Sequence, residues 1–477
     1  MKNKTLILWI SAILLLSSCS FTPKLSTPKM DLPSKYDNKT AQKQIININW
    51  WKNFNDSNLN KLIEEALKNN DDLKLAVIRV EEAWAYLGLS KANLYPTIDA
   101  AASGYRQKTS NETLPKGTGT IFNNFSLSSS VGYELDLWGK LRNQKKAALS
   151  SLLASEANRE VVKLSLVSNV ANIYFNLVSI NKQLQIAEKS VKSFKETYKY
   201  RQKQCKYGVV NELVAKQAKA HYSHAKVLLE SLKEAKVLQM SALSVLLGRS
   251  PKEIFENKFA LNQALPEPVK IPAALPSSLL ENRPDIKVAE ENLRTKNALI
   301  GVAKAAYFPD ISLTGLFGYN SENLSDLIQS SAKIWGIGPS ATIPIFDFGR
   351  IKSNVKITEA EKKAALVQYT QTVKNAFKEV FDALKRVKIS KQKLKAQKEE
   401  VEALKRTVHL SQKRFDNGYS SYLEVLDAQR GFLNTRLKLA RFKAEVITNE
   451  ITLYKALGGG WSEKYLQNAY SETENNH

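Results

Sequence analysis

Residues 91–96 (KANLYP) return in altered form at 304–309 (KAAYFP), and the landmarks around them keep step. Gly139 and Gly349, Gly208 and Gly418, and Gly248 and Gly458 each lie 210 residues apart, and LDLWGKLR at 135–142 answers FDFGRIK at 346–352. A spacing that long means two copies of one large unit, not a short-period solenoid. Each copy must place the same elements in the same order. The 477-residue chain is therefore expected to hold repeat 1 over 49–264, a connector at 265–276, repeat 2 over 277–461 and a polar tail at 462–477. The connector carries four prolines in twelve residues and excludes a helix or a central strand.

Each copy opens on helix. Leu59, Leu62, Ile63 and Leu67 share one face of a helix beginning near Ser57, and a second runs from about Asp72 until Pro96 stops it. In copy two the matching stretch ends at Pro309. Strands are expected after each proline, at 97–106 with 124–135 and at 311–320 with 334–346. Phe125, Leu127, Val131, Tyr133 and Leu135 alternate with small or polar residues, as do Trp335, Ile337, Ala341, Ile343 and Ile345. Segments of about ten residues with one apolar face, joined by long polar loops, suit transmembrane β-strands, and a half-buried soluble sheet has the same alternation. Four spanning strands cannot close a barrel, and open edges leave backbone groups unpaired in lipid, so spanning strands require oligomerisation.

The rest of each copy reads as helical hairpins at 139–248 and 349–458. Residues 140–205 contain no proline or glycine, and Leu164, Val167, Ala171, Tyr174 and Val178 keep three-four spacing. Copy two carries Leu366, Tyr369, Val373, Ala376, Val380, Ala383 and Val387. Sixty-odd residues at about 1.5 Å each make roughly 100 Å of helix. Gly208 and Gly418 are the expected hairpin turns, and the paired helices should coil antiparallel.

The amino terminus bears on the compartment. Lys2 and Lys4 precede an apolar run from Leu6 to Leu16, too short to span a bilayer, and Leu16-Ser17-Ser18-Cys19 closes it. Residues 1–18 read as a signal peptide similar to those of bacterial lipoproteins, which implies acylation of Cys19. In that class Ser20 at the next position favours the outer membrane. Residues 19–48, polar and dotted with proline, read as a lipidated tether. Cys205 is the only other cysteine, so an acylated mature chain has no internal disulfide and must rely on packing or assembly. The formal charge of +24 would suit nucleic acid, but the lysines are spread along the helices without a compact patch, and no nucleic-acid partner is expected.

With GYELDLWGKLR, LLENRPDI, IPIFDFGRIK and the closing ALGGGW in this order, residues 50–461 resemble the TolC-type outer-membrane efflux proteins, and their lipoprotein branch in particular. The resemblance implies an α+β membrane protein: a homotrimeric 12-stranded β-barrel, four strands per chain, continued by a long α-helical coiled barrel with a small mixed equatorial region. It implies an outer-membrane channel-tunnel of a tripartite pump, lipid-anchored and spanning, that meets an inner-membrane transporter of the RND type through a periplasmic adaptor. The alternatives are a lipid-anchored periplasmic scaffold and, within the family, a channel for type I protein secretion.

The resemblance also locates the closing point, at the helix after Gly418. Glu424 and Asp427 lie three apart on that helix, and in a trimer each would form a ring of acids that favours cations. Leu423 would add an apolar constriction, and Arg430 can pair with Asp427. Family members that lock this aperture with a tyrosine and an arginine beside the glycine have here Phe415 and Ser420, which leaves Arg430 as the lock. The copy-one tip, with Leu213 and Gln217, has no acid answering Asp427. His221 and His224 share a helix face but lack a third ligand, so no metal site is expected. No catalytic motif is present and no cofactor or enzymatic activity is expected.

Overall fold

The computed structural model describes residues 21–25, 48–112, 119–256, 259–262, 264–268 and 282–461. The expected signal peptide, Cys19, most of the tether, most of the connector and the tail lie outside them. The chain divides into two compact units. The first comprises 1–29, 80–155 and 289–369, and the second 30–79, 156–288 and 370–477. In chain order the elements are α1 (Ser57–Asn69), α2 (Asp71–Ala92), β1 (Thr97–Lys108), β2 (Ile121–Glu134), α3 (Lys140–Lys206), α4 (Glu212–Leu246) and α5 (Pro251–Glu256). Then come α6 (Pro284–Ala305), β3 (Asp310–Ser321), β4 (Lys333–Thr342), α7 (Arg350–Asp416) and α8 (Tyr422–Ala456). The two long helices both have 67 residues, and both of their return helices have 35.

The first unit holds one four-stranded antiparallel sheet in the order β1-β2-β3-β4. β1 and β4 are its open edges. The β2–β3 pairing, with Leu127 opposite Tyr319, joins the two halves of the chain. No core forms on either face: β1 is exposed along its whole length, and Trp335 and Ile337 are 71% and 74% exposed. Such a sheet leaves its apolar side chains uncovered, which water tolerates poorly, and its edge groups without a partner strand, which lipid cannot satisfy. Gly318 has a packing role, since a Cβ there would sit 2.4 Å from the Leu127 carbonyl oxygen.

Strand bounds depart from expectation in two places. β1 and β2 run further toward their connection, which shortens the loop to 109–120. β4 stops at Thr342 rather than 346, because Pro344 offers no N–H to extend the ladder. Pro339 is accommodated within β4 because that strand is an edge.

The LDLWGK and FDFGR motifs turn the chain from strand to helix. Asp136 accepts hydrogen bonds from the backbone N–H of Leu141 and Arg142 at 3.0 and 2.9 Å. Asp347 accepts from those of Gly349 and Ile351 at 2.9 and 2.7 Å. The free amides of each helix start are thus satisfied by a carboxylate. The amide of Ile351, then that of Gly349, holds the Asp347 carboxyl below its ordinary range.

The second unit holds the main core. A short 3₁₀ turn, Trp50–Phe54, and the apolar face of α1 (Leu59, Leu62, Ile63) pack on Tyr174 and Phe175 of α3, Leu243 of α4, and Ile447, Ile451 and Tyr454 of α8. Trp50 stacks on Tyr454 at 5.1 Å between ring centroids. Each such side chain contributes about 1.5–3 kcal/mol on burial. Buried Asp56 caps α1 through the amides of Asn58 and Leu59, both at 3.0 Å, and accepts the Tyr174 hydroxyl at 2.8 Å. Burial, then this bond, pushes the Tyr174 phenol above its ordinary range. Most of the three-four rows expected on the long helices are packed: Val167, Ala171, Tyr174 and Val178 on α3, and Val373, Ala376, Val380, Ala383 and Val387 on α7, are buried, whereas Leu164, Leu366 and Tyr369 are only partly so.

A candidate gate at the helix tips

Both long helices end on a glycine with left-handed backbone, Gly208 at φ +72° and Gly418 at φ +77°. The amides around each close back on the helix, Val209 on the Gln204 carbonyl at 2.9 Å and Tyr419 on that of Arg414 at 2.8 Å. This is the capping geometry for which glycine is favoured. The return helices α4 and α8 then start at once, with Asn211 capping α4 through the Val214 amide at 3.2 Å.

Leu423, Asp427 and Arg430 stand on successive turns of α8 and line a cavity of about 310 Å³ with Gln217, His221 and His224 of α4. Arg430 donates to Asp427 at 2.5 Å. Both side chains are mostly exposed, so the pair is worth only about 0.2–1 kcal/mol. Glu424 does not line this cavity. Its carboxylate lies 3.8 Å from the Arg414 guanidinium of α7, so the two acids expected on one face have different partners.

His221 packs against α3. It is half-buried with its ring 4.1 Å from that of Phe194, and its Nε2 has no partner among the described residues. Burial, then repulsion from His224 and Arg430, lowers its pKa to about 4. No group of three potential metal ligands occurs among the described residues.

Sequence reasoning missed Arg201. This residue of α3 is 7% exposed, and its guanidinium lies 4.7 Å from the Phe415 ring centre and 4.8 Å from that of Tyr422. It donates to Gln204 at 2.7 Å and has no carboxylate partner among the described residues. Tyr422 and Phe415 themselves lie 5.2 Å apart, over a small core of Ala218, Val425 and Leu426. Arg201 thus joins the first hairpin to the second through two aromatic faces, a desolvated cation–π arrangement worth about 2 kcal/mol. Two aromatic residues flanking the Gly418 turn were the available signal. Nothing in the local sequence of α3 marked Arg201 among its many basic neighbours.

The model of the outer membrane efflux protein family matches residues 62–249 and 275–459. The chain belongs to this family. It is 36% identical over 455 residues to the cation efflux system protein CusC of Escherichia coli O6:H1, covering 94% of this chain and 97% of the relative. It is 34% identical over 471 residues to the probable outer membrane lipoprotein SilC of Salmonella typhimurium, covering 96% of this chain and 100% of the relative. Among solved structures, the CmeC outer membrane channel of Campylobacter jejuni superposes with a TM-score of 0.90 at 33% identity, covering 96% of this chain and 99% of that one. The chain is an outer-membrane channel of an efflux system, and the work of such a protein is conduction, not catalysis.

Proposed function

We propose that three copies assemble into one conduit, each supplying β1–β4 to a 12-stranded barrel and its two hairpins to a helical tunnel, so that the duplicated chain builds a third of a quasi-sixfold tube. The observation that carries this is the sheet: four strands with open edges and an exposed apolar face, on which Leu127, Val131, Phe317, Trp335 and Ile337 lie by register, are complete only with further strands and lipid. Acylation of Cys19 anchors the amino terminus in the same membrane. An adaptor and an inner-membrane transporter of the RND type deliver cargo, which moves passively once the tips open. A lipid-anchored scaffold would leave the sheet without a role. Protein export through such a conduit is less favoured, since the relatives named above are cation efflux and lipoprotein components.

The conduit closes at the tip of the second hairpin. In a trimer, Glu424 and Asp427 would each contribute a ring of three acids, favouring cations, with Leu423 as an apolar constriction. The positions answering Asp427 and Arg430 in the first hairpin are Gln217 and Ala220, so the ring belongs to one hairpin alone. Three links hold it: the weak Asp427–Arg430 pair, the weak Glu424–Arg414 pair and the stronger Arg201 sandwich. The first can be released by a docking partner at little cost.

Membrane fractions test the assembly. Heat-modifiable trimers in the outer membrane, with single-channel current in planar bilayers, are expected. A monomer confined to the soluble or inner-membrane fraction would contradict it.

A further inference from the structure

Each strand-to-helix turn carries an aromatic residue just before its glycine, Trp138 before Gly139 and Phe348 before Gly349, and both glycines are left-handed, at φ +74° and +83°. The two rings are placed differently. Trp138 reaches from the end of β2 to the start of β3, where it stacks on Phe308 at 4.8 Å and donates its indole N–H to the Pro309 carbonyl at 2.8 Å. Phe348 is 90% exposed, and its ring neighbour, Phe346 at 4.4 Å, is itself exposed. The backbone of Phe348 is left-handed at φ +54°, a costly conformation for a bulky side chain. Exposure and strain together have no return within one chain.

The receiving half of the Trp138 contact is also present twice. In the KANLYP and KAAYFP register Tyr95 answers Phe308, and the same turn presents both. The amides of Leu94 and Tyr95 donate to the Lys91 and Ala92 carbonyls at 3.1 and 3.0 Å, and those of Tyr307 and Phe308 to Lys304 and Ala305 at 3.2 and 3.0 Å. Both turns lead into strands of 12 residues, β1 and β3. Yet Tyr95 is 70% exposed. Phe348 follows β4 and Tyr95 precedes β1, and these strands are the two free edges of the sheet, so the halves of the second contact stand at opposite edges of one chain.

We propose that Phe348 of one copy packs on Tyr95 of the next, as Trp138 packs on Phe308 within the chain, and that this contact sets the register of β4 against the neighbouring β1. The proposal rests on the assembly put forward above and names the residues of its joint. Carrying the β2–β3 register over to the joint sets Ile337 opposite Arg106 and Pro344 opposite Asp99 of the next copy. The apolar face then runs on unbroken, because Ile98 and Ile337 already share it through Val131 and Gly315. A slip of one residue would turn it over. Charge also carries across. Within the chain Lys140 pairs with Glu134 at 3.0 Å and Asp310 at 3.3 Å. At the joint Arg350 takes the place of Lys140, and the acid has moved to the other strand, as Asp99 opposite Pro344. Phenylalanine has no indole N–H, so joints between copies lack the hydrogen bond that the joint within each chain has and are the weaker kind.

The test uses the full chain in outer membranes with Cys205→Ser, Tyr95→Cys and Phe348→Cys, treated with a short bismaleimide before denaturation. Covalent dimers and trimers are expected and nothing larger, since a head-to-tail contact among three copies closes on itself. Either of the last two substitutions alone should give no link. Independently, Arg350→Asp and Asp99→Arg should each lower the temperature at which the trimer dissociates in detergent, and the two together should restore it. Trimers that form and do not cross-link would overturn the contact and leave the assembly standing. A charge exchange that lowers the temperature as much as both single changes added would overturn the register. Chains that run as monomers before any treatment would overturn the assembly, and the contact with it.

Discussion

Among single residues at the tip, Arg201 is expected to matter more than Arg430. Its burial between Phe415 and Tyr422 means that Arg201→Ala loses both the cation–π contact and the packing, about 1–3 kcal/mol in all. Faster hydrogen exchange at the amides of 422–426 would show it, and Arg430→Ala should change them by much less. His221 predicts a pH dependence whose sign follows from its pKa, lowered from 6.5 to about 4. The unfolded tip then binds more protons in that interval, so stability is complete above about 6.5 and falls as pH drops toward 4. His221→Phe should flatten that part of the profile, measured by the same exchange at α4. The acids of the proposed gate stand out in the sequence as a departure between the two copies. Arg201 does not, because its function comes from rings that lie more than two hundred residues away in sequence.

At the scale of elements, the two turn glycines and the glycines that close the return helices separate two costs. Gly418→Ala meets open space, so only its left-handed backbone is penalised, by about 1 kcal/mol. Gly248→Ala bears the same backbone cost and would also bring its Cβ 2.1 Å from the Asn69 carbonyl oxygen, which forces α1 and α4 apart. Thermal unfolding should show a loss of several degrees more for the second variant. The hairpins, the turn positions and the buried rows of α3 and α7 were readable because long periodic helices repeat one signal many times. Strand ends were less so: a single proline ended β4 early, β1 extended through Gln107 and Lys108, which have no strong preference, and β2 took in Ile121 and Phe122, which favour strand. Residues 21–23 fall within the expected tether although they are packed, since Phe-Thr-Pro has no pattern of its own and its partners Asn143, Asn297 and Gly301 lie far along the chain.

For the whole molecule, duplication and divergence have different consequences. Matching helices of 67 and 35 residues in each half allow one chain to contribute twice to a tube, and the sheet that joins the halves requires partners to be complete. The halves part at the tip, where Glu424, Asp427 and Arg430 have no equivalents. In the proposed conduit, cargo choice would fall to the transporter and adaptor, and the channel's own contribution would be to close and to prefer cations. The measurement that tests this most directly is single-channel recording of the parent protein against Glu424→Ala with Asp427→Ala, in planar bilayers under a salt gradient. The account predicts a higher conductance and a reversal potential shifted toward zero selectivity in the double variant. Unchanged conductance and unchanged cation preference would contradict it.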